Sequence, residues 1–431
     1  MKRTGFEMKK DLLIIFTFKY PFEPPTEQFL DDELRFLACE DLDILLVPYA
    51  REKKDAMYAF PGTQTNISVC GIKRSCLLRE TFFGLMSVMK HIGYLWSDIR
   101  RLRAEHPRSR SHALKKTLKD HIQAGALFRH FVRQIPDKVL RGRNRIILYS
   151  YWLNPAAAAA ALFKKRLKKQ YSVPVAAYAR AHGEGDLYRD GLDRCRPCLK
   201  LLNEELDAVF PISRNGRDAL IRDGIPKAET YRLGVKKQAS FLASGNSVPL
   251  VVSCSVINGN KRVEKIAEIL SRIPREIRWV HFGGGEQEQI VRAFCEKKLP
   301  GNVFRELRGW TAHDAILDFY REETPDLFLN VSKVEGIPVS MMEAMSCSVP
   351  CAATDVGATG EIVADGRNGF LLSADFDVDE AARKISGYLF GDEEEKTRMR
   401  KNAYATFEQE YDSAINYAAF AKRIMSGEGN A

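Results

Sequence analysis

The amino-acid sequence predicts an α/β protein with two parallel-sheet domains in tandem, and three observations support this prediction. The chain has 431 residues, which is too long for one hydrophobic core and suits two domains of roughly 200 residues each. Short apolar runs alternate with helical patterns through both halves, as in chains built from strand–helix–strand units. Residues 236–249 interrupt this alternation with Ser, Gly, Asn and Pro, so we predict the interdomain linker there.

The predicted strands are the short apolar runs that turn residues or helical patterns separate. In the first half they cover residues 12–17, 44–48, 146–149, 175–180 and 208–212. In the second half they cover residues 250–255, 277–282, 303–307, 327–331, 350–354 and 370–372. Residues 155–169 open with an alanine run and end in basic residues, which predicts a helix. The tail after residue 405 predicts a helical apolar face with Phe407, Tyr411, Ile415, Tyr417 and Phe420.

The composition is that of an ordinary globular protein, with 45% hydrophobic and 28% charged residues. No apolar run reaches the roughly 18 residues that a membrane-spanning helix needs, so we expect none. The N-terminal apolar run has no small-residue cleavage site after it and fits a buried strand better than a signal peptide. Nine cysteines at irregular spacings indicate reduced thiols, from which we predict a cytoplasmic protein.

The formal net charge of +10 is concentrated in a predicted helical insertion near residues 80–145. Leucines alternate there with basic residues, and basic amphipathic helices commonly lie on anionic membrane surfaces, here the inner face of the cell membrane. A solvated basic face explains the pattern equally well. Nucleic-acid binding is not predicted, because no recognition motif accompanies the charge. The basic residues include Arg100, Arg101, Arg103, Arg108, Arg110, Lys115, Lys116 and Lys119.

A phosphate site is predicted where the apolar run at 327–331 gives way to a helix. We expect this helix to begin at Pro338, a residue well suited to the first helical position. Gly336 lets the backbone approach a ligand closely. The first amides of a helix lack carbonyl partners and lie at its positive end, where they bind anions. These amides are those of Ile337, Val339 and Ser340, and the inner face of the helix carries Met341, Met342 and Met345.

Two carboxylates accompany this predicted phosphate site. Glu335 lies just before the helix and Glu343 lies in its second turn, so both side chains can border one pocket. If the helix amides hold a diphosphate, the carboxylates can accept hydrogen bonds from hydroxyl-rich groups on either side. Taken singly, Glu335 is more simply a favourable charge at a helix N-terminus and Glu343 a solvated residue.

The run Glu-Gly-Ile-Pro-Val-Ser-Met-Met-Glu at residues 335–343 resembles the E-x7-E motif of glycosyltransferase family 4. The flanks at 326–332 and 344–346 match that family as well, and so does the pattern downstream. The resemblance implies the GT-B fold, in which two Rossmann-like domains face each other across a deep cleft. It also implies a hexosyltransferase that retains anomeric configuration, uses a UDP- or GDP-linked sugar, and needs no metal or other cofactor. The downstream matches are Pro350 and residues 354–357, 361–363 and 368–371.

The same resemblance assigns roles to residues of the second half. Glu335 holds the donor sugar, Glu343 holds the ribose, and Lys261 holds the diphosphate. Val256 stands where the family has an arginine, and Arg262 is the residue that would replace its charge. Gly284 borders the donor, and Trp310 lies where relatives hold the nucleotide base. The candidate donor-binding residues are Ser255, Lys261, Arg262, Gly284, Trp310, Glu335, Gly336, Ile337, Pro338, Val339 and Glu343.

In the first half, residues 180–188 are similar to the strand-end segment of family members that build extracellular or capsular polysaccharide. The resemblance places His182 near the reacting sugar and the acceptor, although a lone histidine is more often structural. Glu27 keeps the subgroup's spacing in a loop whose glycines are replaced by prolines, and a capping role is an equal alternative. The candidate acceptor-binding residues are Glu27, Arg180 and His182, and the candidate catalytic residues are His182, Glu335 and Lys261.

The predicted protein is a two-domain enzyme, and three other functions are also considered. We place the acceptor-binding domain at 1–236, the nucleotide-sugar-binding domain at 237–410, and a last helix at 411–431 that packs back on the first domain. The predicted acceptor is a glycan or a polyprenyl-diphosphate-linked sugar in cell-surface polysaccharide biosynthesis. Three alternatives stay open: a phosphorylase-like or epimerase enzyme, a catalytically silent relative that binds sugar nucleotides or scaffolds an assembly complex, and a membrane-binding scaffold.

Overall fold

The structure is a computed structural model that describes residues 10–22, 27, 29–50, 66–70, 77–105, 110–153, 155–183, 196–238 and 245–427. The chain forms two compact units, Met1–Tyr231 with Tyr417–Ala431 and Arg232–Asn416. Six of the residues between 236 and 249, where we predict the linker, lie outside the described residues. Among the described helices, none is both long enough and apolar enough to cross a membrane.

The first unit contains a six-stranded parallel sheet in the order β3-β2-β1-β4-β5-β6. Its strands are β1 (Asp11–Thr17), β2 (Leu42–Pro48), β3 (Ile67–Val69), β4 (Ile146–Ser150), β5 (Val175–Ala181) and β6 (Ala208–Pro211). Its helices are α1 (Leu30–Leu37), α2 (Leu77–Lys90), α3 (Ile92–Glu105), α4 (Arg110–Gln134), α5 (Asp137–Leu140), α6 (Ala156–Gln170), α7 (Leu199–Glu205) and α8 (Arg214–Arg222).

The second unit contains another six-stranded parallel sheet, in the order β12-β11-β10-β7-β8-β9. Its strands are β7 (Leu250–Cys254), β8 (Ile277–Phe282), β9 (Val303–Leu307), β10 (Leu327–Asn330), β11 (Cys351–Thr354) and β12 (Gly369–Leu372). Its helices are α9 (Val263–Ser271), α10 (Glu288–Lys298), α11 (His313–Glu323), α12 (Val339–Ser346), α13 (Val378–Leu389) and α14 (Glu393–Glu410), and α15 (Ser413–Ser426) follows.

The two sheets have the same topology, which is the 3-2-1-4-5-6 order of doubly wound Rossmann folds. Helices cover both faces of such a sheet, so its strands are buried throughout and read as continuous apolar runs. The order reverses between β1 and β4 in the first unit and between β7 and β10 in the second. At such a switch point the connections leave in opposite directions, and a crevice opens at the carboxyl ends of the strands.

All eleven strands that we predicted are present, with bounds that differ by at most two residues. Strand β3 was not predicted, because its three residues form a short edge strand whose side chains are not fully buried. The apolar face predicted for the tail was wrong at Ile415, which is exposed. One helix ends at Glu410 and another begins at Ser413, so the spacing counted across this break does not hold.

Candidate active site

In the second unit, the loop after β7 and the loop after β10 are joined by backbone and side-chain hydrogen bonds. The N–H of Val334 donates to Asn260 Oδ1 at 3.0 Å, and Asn260 Nδ2 donates to the Val334 carbonyl at 3.1 Å. The N–H of Lys333 donates to the Asn260 carbonyl at 2.9 Å. Asn258 Oδ1 accepts from the N–H of Lys261 at 3.0 Å, which shapes the first loop. The two loops therefore form one scaffold at the switch point.

This scaffold brings two predicted site residues together, because the Lys261 ammonium forms an ion pair with Glu335 Oε1. The Glu335 side chain is only 10% exposed and that of Lys261 is 22% exposed. Asn330 Nδ2 donates to the same Glu335 oxygen at 3.2 Å, and Asn330 Oδ1 in turn accepts from the Ser332 hydroxyl at 2.6 Å. Neighbouring groups thus orient the Glu335 carboxylate, while the flexible stem of Lys261 can present its charge to an anion.

The helix that follows begins one residue later than the sequence predicts. Pro338 is the N-cap residue and Val339 is the first residue of α12. No side chain caps this helix end, so the first amides, including those of Val339 and Ser340, are offered at its positive terminus. Ile337 and Gly336 precede Pro338 in the loop. The predicted inner face is confirmed, since Met341, Met342 and Met345 are buried.

Glu343 lies in the second turn of α12 and is also largely buried, with 11% of its side chain exposed. His313 Nε2 contacts Glu343 Oε1 at 2.7 Å and donates its N–H to the carboxylate. His313 is the first residue of α11, which follows the loop after β9. His313 was not predicted as a site residue, because it is a lone histidine 30 residues from its partner. Its place at the start of a helix after a parallel strand was the one available signal.

The three-glycine turn after β8 allows close packing at the carboxyl ends of the strands. Gly283 has a φ of +124°, and a Cβ there would lie 2.0 Å from the Ser255 carbonyl oxygen. The N–H of Gly283 donates to the carbonyl of Gly309 at 2.8 Å. A Cβ at Gly284 would lie 2.9 Å from Nε1 of Trp310, a residue that is 75% exposed. The structure therefore gathers Ser255, Gly284 and Trp310 at one edge of the sheet and leaves an indole ring open to solvent.

Arg262 takes a position that the sequence did not indicate. Its Nε donates to the Val331 carbonyl at 2.6 Å, and its terminal nitrogens donate to the carbonyls of Ser332 and Ala374 at 3.3 Å. Burial lowers the pKa of this guanidinium. Arg262 therefore satisfies carbonyl groups in the loops after β10 and β12. Val256, which stands at the family's arginine position, is 41% exposed.

In the first unit, Glu27 caps the loop that follows β1. Its carboxylate is fully buried and accepts from the N–H groups of Phe18, Lys19 and Tyr20, each at 2.9 Å. Trp152 Nε1 donates to the same carboxylate at 2.5 Å. These are the contacts of a capping residue, and acceptor contact through Glu27 stays a prediction. Residues 23–26 of this loop, with the prolines that replace glycines, lie outside the described residues.

His182 follows β5 and is buried among aromatic rings at the same end of the sheet. Its Nε2 contacts the Tyr151 carbonyl at 3.0 Å, and its ring centroid lies 4.7 Å from that of Trp152 and 5.2 Å from that of Phe29. Burial, together with the nearby positive charge of Arg180, lowers the pKa of His182 to about 3. The imidazole is therefore neutral at pH 7. Because Nε2 donates its proton to a carbonyl, Nδ1 is the nitrogen that carries the lone pair.

Arg180 is completely buried beneath this histidine, in the centre of the first unit. Its guanidinium lies 3.4 Å from Glu33 Oε2 and 4.4 Å from the ring centroid of Phe420. The Tyr149 hydroxyl donates to the other Glu33 oxygen at 2.7 Å. Burial raises the pKa of the Glu33 carboxyl, and the charge of Arg180 opposes that rise. In this arrangement Arg180 belongs to a buried ionic network in the core, and its acceptor-binding role stays a prediction.

The low pKa of His182 predicts a specific loss of stability in acid. Between pH 6.5 and about 3 the unfolded chain binds a proton that the folded protein does not, so the free energy of unfolding falls as the pH falls. From pH 7 to pH 5 we expect the wild type to lose about 2 kcal/mol more than His182→Gln. Urea unfolding of both proteins at the two pH values measures this difference. Equal losses would show that His182 titrates normally.

The comparisons with known proteins agree with this geometry. A family model described as "Glycosyl transferases group 1" matches residues 236–406. The uncharacterized glycosyltransferase MJ1178 of Methanocaldococcus jannaschii is 24% identical over 265 residues, which are 61% of this chain and 71% of that protein. The O-antigen biosynthesis glycosyltransferase WbnH of Escherichia coli is 25% identical over 261 residues, which are 57% of this chain and 68% of that protein.

A solved structure shows the same fold across almost the whole chain. HepE from Anabaena, in complex with UDP and glucose, aligns with a TM-score of 0.64 over 97% of this chain and 100% of that chain, at 15% sequence identity. This likeness and the two sheets described above establish the two-domain α/β fold called GT-B. Residues 236–406 of this protein are thus similar to the glycosyltransferase group 1 family.

Proposed function

We propose that the protein is a retaining, metal-independent glycosyltransferase of the hexosyltransferase type, with a UDP- or GDP-linked sugar as donor. One observation carries the proposal: Lys261, Glu335 and the uncapped start of α12 lie together at the switch point of the second sheet. A cation beside free amides binds a diphosphate, and a buried carboxylate beside both binds the hydroxyl groups of a sugar.

Donor binding rearranges the ion pair of Lys261. The ammonium moves from Glu335 to the diphosphate, where a compact positive charge can replace a metal ion. Glu335 then accepts hydrogen bonds from the sugar hydroxyls, with Asn330 holding one of its oxygens. Glu343, which His313 orients, accepts from the ribose hydroxyls. These roles agree with the family resemblance of the motif at 335–343.

The proposed reaction breaks the bond between the anomeric carbon and the diphosphate oxygen. The acceptor hydroxyl forms a new bond to that carbon on the same face, through a transition state of oxocarbenium character. Its proton passes to an oxygen of the departing diphosphate, so no protein base is needed. The protein contributes chiefly by positioning the reactants and by stabilising the charge on the leaving group.

We further propose that the acceptor is a glycan or a polyprenyl-diphosphate-linked sugar in cell-surface polysaccharide biosynthesis. The similarity to WbnH, an O-antigen biosynthesis glycosyltransferase, supports this choice. The resemblance of residues 180–188 to family members that build polysaccharide supports it independently, although residues 184–188 lie outside the described residues. We also propose that His182, in the first unit, takes part in acceptor binding.

The donor site is tested by thermal unfolding of the protein with UDP, GDP, ADP or CMP in the presence of a chelator. A ligand at 100 times its dissociation constant adds about 2.7 kcal/mol to the free energy of unfolding, which gives a clear shift in Tm. We expect one nucleoside diphosphate to stabilise the wild type and Glu296→Ala, an exposed control in α10, but Glu343→Ala much less. Failure of all four nucleotides to stabilise the folded wild type contradicts the proposal.

A catalytically silent relative is the second candidate, and Val256 is the observation that favours it. A solvent-facing valine stands where the family supplies a positive charge, five residues before Lys261. We expect Val256→Arg to tighten binding of the nucleoside diphosphate by about fivefold, since one charge-assisted hydrogen bond at a partly exposed site contributes about 1 kcal/mol. Calorimetric titration of Val256→Arg and Val256→Met measures the change. Unchanged affinity in the arginine variant would place residue 256 outside the donor site.

A further inference from the structure

The helical insertion between β3 and β4, which consists of α2, α3 and α4, carries most of the net charge of the protein. Residues 77–134 contain 12 Lys and Arg against four Asp and Glu, a balance of +8 in a chain whose net charge is +10. One of the four acidic residues, Asp98, is buried and contacts His121 Nε2 at 2.9 Å. Of its basic residues, Lys90, Arg100, Arg103, Lys115 and Lys119 are exposed, so the insertion presents basic groups at its surface.

The same insertion also exposes most of the large apolar side chains found at the surface. Among the described residues, 15 large apolar side chains are exposed, and eight of them lie between residues 82 and 118. Single exposed apolar residues are ordinary, but a cluster of this kind marks an interaction site. The eight are Phe82, Leu85, Met86, Met89, Ile92, Trp96, Leu114 and Leu118, and we call them the apolar cluster.

The spacing of the apolar cluster gives each helix one outward face. On α2, the exposed residues 82, 85, 86 and 89 follow the i, i+3, i+4, i+7 pattern. On α3, Ile92 and Trp96 are continued at the same spacing by the exposed Arg100 and Arg103. On α4, Leu114 and Leu118 are each followed by an exposed lysine, Lys115 and Lys119. Apolar and basic groups thus occupy the same faces.

The opposite faces of these helices are packed against one another. A Cβ at Gly84 would lie 2.4 Å from the Ile122 carbonyl oxygen, so α2 and α4 approach closely there. Leu102 of α3 packs on Ala113 of α4 in a small buried cluster. Internal packing therefore fixes which sides face outward, and the apolar cluster lies on sides that the rest of the described chain leaves uncovered.

We propose that the apolar cluster and its flanking basic residues dock the first unit on a lipid bilayer that carries anionic headgroups. Charge complementarity selects this occupant, because a helical segment with a net charge of +8 attracts anionic lipid and repels a second copy of itself. The apolar side chains enter the acyl boundary, and the lysine stems reach past them so that the ammonium groups meet phosphates. This inference does not depend on the proposed catalytic activity.

The test is flotation of the full-length protein with vesicles of phosphatidylcholine alone or mixed equally with phosphatidylglycerol. We expect binding to the mixed vesicles only, with a loss at high salt. Lys115→Gln with Lys119→Gln should weaken binding by about 30-fold, since each basic residue contributes about fivefold in affinity near an anionic surface. Met86→Glu with Met89→Glu should abolish flotation, whereas Ile290→Glu, at an exposed apolar residue of the second unit, should not.

Trp96 provides a direct readout within the cluster. In a Trp310→Phe background, which removes the other strongly exposed indole, its fluorescence should shift to the blue and be quenched by brominated anionic lipid. Absence of flotation with mixed vesicles overturns the proposal. Flotation of the Met86→Glu, Met89→Glu variant equal to that of the wild type also overturns it. A third contrary result would be that the wild type sediments as a dimer, and that this variant sediments as a monomer while its vesicle binding is unchanged.

Discussion

Replacing Lys261 with Met is expected to lower kcat for donor turnover by roughly 100- to 1,000-fold, the usual cost of removing one group that stabilises a developing negative charge. The ammonium neutralises the diphosphate most strongly as the bond to the sugar breaks, so kcat should fall more than donor affinity. Release of nucleoside diphosphate, followed with a coupled assay, gives kcat and KM for the wild type and the variant.

The matched control for this prediction is Lys333→Met. Lys333 lies in the adjoining loop, two residues before Glu335, and its side chain is exposed. Loss of general positive charge near the site should therefore be similar in both variants, and only Lys261→Met should lose turnover. If Lys261→Met keeps kcat within tenfold of the wild type, the ion pair with Glu335 is structural and the proposed stabilisation of the leaving group is wrong.

Replacing Arg180 with Met is expected to lower the free energy of unfolding by about 3–5 kcal/mol, because it leaves a buried carboxylate without its partner. Glu33 and Arg180 are both completely buried, so water cannot replace the lost charge. The double variant Glu33→Gln, Arg180→Met should lose less free energy of unfolding than Arg180→Met alone, since it also removes the unpaired charge of Glu33. Urea unfolding measures both, with Arg217→Met at a partly exposed ion pair of the first unit as control.

The deficit of Arg180→Met should also depend on pH in a defined direction. Burial already raises the pKa of Glu33, and loss of the nearby positive charge raises it further above the unfolded value of 4.5. A raised carboxyl pKa contributes stability that is lost as pH rises, so the deficit should grow from pH 5 to pH 8. A variant with normal stability that fails only with acceptor would instead support the acceptor-binding role that the sequence suggested for Arg180.

The fold was predictable because each buried strand of a parallel sheet is a local apolar run. For example, the apolar runs at residues 327–330 and 277–282 are enough to predict β10 and β8. The short edge strand β3 has no such run and depends on pairing with β2, which is a contact between residues 23 positions apart, such as Ile44 and Ile67. The break between α14 and α15 likewise depends on how the chain folds locally, so Ile415 was misplaced.

The proposed donor site could be derived from the sequence only where its residues are contiguous. The carboxylates and the helix start of the proposed site all lie within the short run from Glu335 to Glu343. The residues that orient this run lie far away in the sequence: His313 contacts Glu343 across 30 positions, and Asn260 contacts Val334 across 74. The burial of a polar side chain is the other property that the sequence does not give. Glu27 is fully buried, and its carboxylate accepts hydrogen bonds from the loop after β1.

The most direct test of the central claim is the anomeric configuration of the product, followed by NMR before mutarotation. An α-linked UDP- or GDP-sugar, chosen by the nucleotide that stabilises the protein, is supplied with water or a polyprenyl-diphosphate-linked glycan as acceptor. We predict that the released or transferred sugar appears first as the α anomer with the wild type, and that Lys261→Met forms it at a small fraction of that rate. A β anomer as the first product, or a donor that stays intact with both acceptors, would contradict the account.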